Sequence, residues 1–197
     1  MTALSTPSPD TPGAIDMTND LETRIRRLED RQALSDLVAT YGRVVDDRDL
    51  DALRGLFTED AVFESTVGPV TGRDEVVDHY IERMRMFDAS FHIPHSQTVE
   101  FTSDDTASGI VTAHAELGMP DGSFWVALRY HDRYRRTDDG WRFHERRVRQ
   151  LYAMPLAELA DGLSEGMRKR WPNTPRAEAE LPEALDTWAA WTAGSTS

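Results

Sequence analysis

The sequence predicts an α+β domain in which helices come first and a long antiparallel meander follows. Three observations predict it. Apolar residues recur at three- and four-residue steps along the early part of the chain. Four extended segments come after Phe87, with turn signals between them. Those turns are short, and short turns join antiparallel neighbours.

The first helix rests on Leu34, Leu37, Val38, Tyr41, Val44 and Val45, which form one apolar stripe. Leu21, Ile25 and Leu28 extend it upstream, with Thr18 or Asn19 as its cap. The charged run from Glu29 to Gln32 reads as a solvated face. A break follows at Asp46-Asp47-Arg48, and Asp49 caps a short helix holding Leu50, Leu53 and Leu56. Residues 61–64 read as a short strand, and Gly68-Pro69 and Gly72 as a loop. Residues 73–86 form a third helix with Val76, Val77, Tyr80, Ile81 and Met84 inward. The extended segments are 91–101, 106–117, 123–134 and 141–152, divided by Ser103-Asp104-Asp105, Pro120-Asp121-Gly122 and Asp138-Asp139-Gly140.

At 197 residues the chain is long enough for one domain with a real core. Residues 1–17, with three prolines among Ser and Thr, read as a disordered tail, and 18–154 as the compact domain. Residues 155–197 read as a partly helical extension, with Leu181, Leu185 and Trp188 at helical spacing. It is placed as a cover for the domain's open end or a contact with a neighbouring subunit.

The 22 Lys and Arg against 35 Asp and Glu give a net charge of −13. That argues against nucleic acid or an anionic membrane as partner, because phosphate binding needs a cationic face. With no cysteine, thiolate catalysis, disulfides and Cys-ligated metals are excluded. The first residues lack the basic start and apolar stretch of a secretory leader, and no apolar run could span a bilayer, so a cytoplasmic protein is expected.

No glycine-rich phosphate loop or GxSxG elbow occurs. His92 and His95 are three apart, which on a regular strand puts them on opposite faces, so no metal is expected there. What remains is acid–base chemistry between a helix-end carboxylate and a strand histidine. A carboxylate bonded to an imidazole fixes its tautomer and raises its basicity. Which histidine faces inward depends on the strand. Regular alternation from Val99 and Phe101 puts Gln97, His95 and Ile93 on one face and His92 on the other. A bulge at Pro94 would reverse that and favour His92. Asp46 could instead merely close a turn, and His92 and Tyr41 could be core residues. Met84, Phe87, Phe91, Trp125 and Tyr130 suit core or pocket lining. Arg142, Arg146, Arg147 and Arg149 suit a solvated strand face, though they could pair with acidic residues or hold a substrate carboxylate. His114 and Asp132 could form a second polar pair.

The stretches LSDLVATYGRVVDDRDLDALRGLFTEDAVFE (34–64), GPVTGRDEVVDHY (68–80), FHIPHSQTVEF (91–101), DDTASGIVTAH (104–114) and DDGWRFHERRV (138–148) together resemble the SnoaL-like branch of the nuclear-transport-factor-2-like superfamily. Scytalone dehydratase and polyketide cyclases belong to it. The resemblance implies a cone-shaped curved antiparallel sheet wrapped around the N-terminal helices, an α+β barrel open at one end to an apolar pocket. It implies that Asp46 pairs with His92 and that Arg146 is the family's common arginine. A second histidine of scytalone dehydratase would fall near Leu117, where this sequence departs. The resemblance further implies a homodimer through the sheet and no cofactor. The expected function is a cofactor-free lyase or isomerase, a dehydratase or cyclase, acting on an apolar cyclic metabolite such as a polyketide or terpenoid. Asp46, His92 and Tyr41 would be catalytic. Met84, Phe87, Phe91, His95, His114, Trp125 and Tyr130 would touch the substrate. The alternative is a non-catalytic small-molecule-binding or assembly module, like the small subunit of ring-hydroxylating dioxygenases.

Overall fold

A computed structural model describes residues 17–194, with side chains from Asp20 onward. The tail expected over 1–17 lies outside the described residues except for Met17, which already belongs to a helix.

Helix α1 (Met17–Asp47) and helix α2 (Leu50–Gly55) lead into strand β1 (Phe57–Ser65), β2 (Gly68–Thr71) and helix α3 (Arg73–Met84). Then come β3 (Ala89–Phe101), β4 (Thr106–Met119), β5 (Gly122–Thr137) and β6 (Gly140–Pro155). The expected stripe on α1 is the heart of the core: Leu34, Leu37, Val38, Tyr41, Val44 and Val45 are all buried. Its upstream extension is not, for Leu21, Ile25 and Leu28 stay exposed. The charged run holds one exception. Asp30 is buried, where it accepts from Arg136 and from the Trp141 indole.

The six strands lie in the order β2-β1-β6-β5-β4-β3. The sheet is therefore curved and open, with β2 and β3 as free edges, and does not close into a barrel. It is also not wholly antiparallel. β1 pairs with β6 in parallel, a pairing that needs the long crossover through α3 and β3–β5. Residues 68–71, expected as loop, form β2 against β1. Helix α1 packs across the inner face, mainly on β3, and α3 covers β1, so the core lies between helices and sheet.

The extension runs on through a short helical stretch, Leu156 to Gly162, and a final helix α4 (Asp186–Gly194). Only Leu181 of its expected helical trio is buried, and the helix begins after Leu185. Between these, residues 168–170 bond to the main chain of Ala153, which fixes the extension against the end of β6.

Candidate active site

The site begins with a missing side chain. A Cβ on Gly42 of α1 would stand 3.1 Å from the His92 carbonyl oxygen, so α1 approaches β3 this closely only with glycine there. One helical turn further on, Asp46 then reaches the strand. Its carboxylate accepts from the His92 main-chain N–H at 2.8 Å, lies 2.7 Å from His92 Nδ1, and accepts from Ser90 Oγ at 3.0 Å. Arg48 ties the same end of α1 to the chain entering β3, donating to the Phe87 and Asp88 carbonyls.

His92 faces inward because β3 is bulged. Pro94 pairs with Ala113 and Ser96 with Thr112, leaving His95 as the extra residue. The bulge puts His92 and Pro94 on the same side as Gln97, Val99 and Phe101. The regular-strand alternative, with His95 inward, is overturned. Asp46 and His92 side chains are 18% and 17% exposed, sheltered but reachable. His92 Nε2 has no hydrogen-bond partner among the described residues.

His92 lines a cavity of about 110 Å³ that opens to solvent. Val45, Phe63, Met84, Phe87, Leu117, Val126, Leu128 and Val148 make most of it apolar. Tyr41 and Tyr80 meet hydroxyl to hydroxyl at 2.7 Å, and Tyr41 stands edge-on to the His92 ring. Burial, and then the Tyr41 neighbour, push the Tyr80 and Tyr130 phenols well above their ordinary range, so both keep their protons. No carboxylate is among the lining residues.

Beneath the tyrosines sits Arg146. It is fully buried in a two-point grip on Asp132, with bonds of 2.9 and 2.7 Å. Its guanidinium lies 4.1 Å from the Tyr41 and Tyr130 ring centres and 3.9 Å from that of Phe143. Tyr134 donates to Asp132 and receives from Gln97. Arg146 is thus not on a solvated face. A bulge at His144, between the Tyr134–Phe143 and Arg133–Glu145 pairs, turns it inward. Asp132 pairs with Arg146 and Tyr134, not with His114.

The sequence-expected residues divide by strand face. Tyr41, Met84, Phe87, Tyr130 and His92 line the cavity. Phe91, His95, His114 and Trp125 do not. Each flanks an inward residue or is the bulged one, so alternation sends it to the outer face. There Phe91 is largely exposed, and His95 Nε2 meets His114 Nδ1 at 2.6 Å while His114 Nε2 meets the Tyr152 hydroxyl. Sequence reasoning missed Tyr80, His79, Arg83 and Trp171 in the lining. Tyr80 and Met84 share a face of α3, so His79 and Arg83 flanking them were open to the same periodicity. Trp171 carried no signal, since it arrives from the extension. It bonds Gln150 at 3.2 Å and stacks on Phe124 at 4.8 Å. No group of three or more His, Asp or Glu able to hold a metal occurs among the described residues. No helix among them is long and apolar enough to cross a membrane.

The chain is similar to known proteins in sequence and in fold. The SnoaL-like domain family matches residues 26–147. The γ-hexachlorocyclohexane dehydrochlorinase of Sphingobium indicum is 29% identical over 137 residues, which is 68% of this chain and 88% of that protein. The crystal structure of LinA superposes with a TM-score of 0.65 at 26% identity, over 69% of this chain and 95% of that one. An NTF2-like protein with a cystatin-like fold from Novosphingobium aromaticivorans gives 0.58 at 27% identity, over 68% and 90%.

Proposed function

The chain belongs to the SnoaL-like family, and from that premise we propose that it is a cofactor-free lyase acting on an apolar cyclic molecule by proton abstraction and β-elimination. The observation that carries this reading is the Asp46 carboxylate engaging both the main-chain N–H and Nδ1 of His92 beside an apolar cavity. With Nδ1–H held by Asp46, the lone pair of the neutral ring is left on Nε2, on the atom without a partner. Nε2 takes a proton from carbon. The C–H electron pair becomes the new C=C bond, and the bond to the leaving group on the adjacent carbon breaks. Asp46 stabilises the imidazolium that forms, and the imidazolium returns its proton to solvent or to a departing hydroxide. The Tyr41–Tyr80 hydroxyl pair hydrogen-bonds the departing group or a substrate carbonyl.

The leaving group is chloride or hydroxide. Chloride is supported by the dehydrochlorinase relative. Hydroxide corresponds to a dehydratase acting on a polyketide- or terpenoid-like ring. His92 would act as both base and acid in the hydroxide case.

The experiment offers a panel of cyclic compounds with chloride or hydroxyl β to an acidic C–H and reads loss of HCl or water by mass spectrometry. Turnover of at least one compound is expected, and His92→Ala should lower it by about 10²–10⁴. Binding with no turnover, or a His92→Ala rate equal to the wild type, removes the proposal in favour of a binding module.

A further inference from the structure

We propose that Arg83 is the anion-recognising residue of this cavity, so that its apolar cyclic occupant carries a carboxylate. The inference rests on reading the cavity as the substrate site, and it is independent of which residue is the base.

Arg83 sits on α3, one turn beyond His79, and both line the cavity. It is half-buried, and no carboxylate lies within ion-pair distance of it among the described residues. Its only side-chain hydrogen bond among the described residues is a 3.5 Å contact to the Met86 sulfur, a weak acceptor. The buried arginines behave differently. Arg146 holds Asp132, Arg168 holds Glu183, and Arg170 holds Glu158 and Glu165. A guanidinium drawn out of water with no counter-charge is costly, and burial correspondingly disfavours its charged form. An incoming anion relieves that cost.

The surroundings fit a carboxylate. The guanidinium lies 5.2 Å from the Trp171 ring and 5.7 Å from the Phe87 ring, within cation–π range of both. With no carboxylate on it among the described residues, its planar fork suits a planar two-oxygen partner. Burial, and then the nearby Arg83 charge, push the His79 pKa down, so His79 is a neutral neighbour that can donate an N–H. The cavity has two imidazoles and a guanidinium but no acidic lining residue, in a chain of net charge −13. Trp171, delivered by the C-terminal extension, therefore helps to frame the anion subsite.

The test uses two probes of nearly the same shape, 2-naphthoate and the neutral 2-naphthamide, titrated calorimetrically at about pH 8, where ordinary imidazoles are neutral. Wild type should bind the carboxylate about tenfold or more tighter, the scale of one charge-assisted contact. His92→Ala should still prefer the carboxylate, because Arg83 is intact. Arg83→Gln should bring it to about one with the amide's affinity unchanged, and Arg83→Lys should keep part of it. Equal binding of both probes by wild type, a ratio that survives Arg83→Gln, or no binding of either probe overturns the proposal. Retention of the ratio in a chain that turns over no elimination substrate separates this inference from the lyase reading.

Discussion

Replacing Asp46 by Asn keeps the shape of the site and removes one acceptor. The carboxylate now serves three donors: the His92 N–H, the His92 ring and Ser90. The amide has one oxygen for two positions. If that oxygen stays on the His92 N–H, the NH₂ group faces Nδ1, which must then accept, and the ring proton moves to Nε2. If it turns to Nδ1, two N–H donors collide. The first arrangement costs less, and it turns the base into a donor. Exchanging three charge-assisted bonds for neutral ones loses roughly 1 kcal/mol each before solvent is counted. Because both side chains are nearly a fifth exposed, we discount this to about 1–2 kcal/mol of stability. The rate effect is larger, about 10²–10⁴ in kcat, since the wrong tautomer cannot take the proton. Urea unfolding measures the first quantity, and single-turnover release of chloride or water the second. An Asp46→Asn protein that eliminates within about threefold of wild type refutes the orienting role.

Gly42→Ala places a methyl 3.1 Å from the His92 carbonyl and pushes β3 away by a few tenths of an ångström. The alanine regains about 1 kcal/mol of helix propensity against about 1–3 of overpacking, so stability falls by at most about 2 while kcat drops roughly tenfold. A thermal melt beside a rate measurement checks the pair, and a large stability loss with an intact rate contradicts it. Arg146→Gln leaves Asp132 buried without its partner and should cost about 3–5 kcal/mol in urea unfolding. The double variant Arg146→Met, Asp132→Leu should recover most of that, and a Gln variant as stable as wild type removes the argument. For pH, burial first, then Arg149, holds the His131 pKa down, and burial likewise lowers His79 and His114. The unfolded chain therefore binds protons that the folded one refuses, so their contribution to stability is intact above about pH 6.5 and declines below it. Urea midpoints from neutral to about pH 5 should fall, less steeply in His131→Gln; an unchanged slope in that variant argues against it.

Local patterns carried far. The α1 stripe, the Asp49 cap and the four long strands follow from periodicity and turn chemistry, and the structure contains all of them. The Asp46–His92 contact was implied by the family resemblance, and proline signalled the bulge, one residue before it occurs, that lets His92 face inward. What escaped was decided by register and distance. Arg146 looks solvated until the extra residue at His144 turns it inward, and charged residues rarely sit fully buried. Phe91, His95, His114 and Trp125 were placed at the pocket by residue type, where alternation from His92 sends them outward. The parallel β1–β6 pairing joins segments about 80 residues apart, and Trp171 enters the cavity from beyond the last strand. No local pattern reports such contacts.

Nitrogen-15 NMR of the neutral His92 ring shows which ring nitrogen holds the proton. The arrangement argued above requires a protonated Nδ1 and a bare Nε2. A protonated Nε2 with a bare Nδ1 would leave the ring with nothing to accept a proton from carbon, and the lyase chemistry would have to be given up.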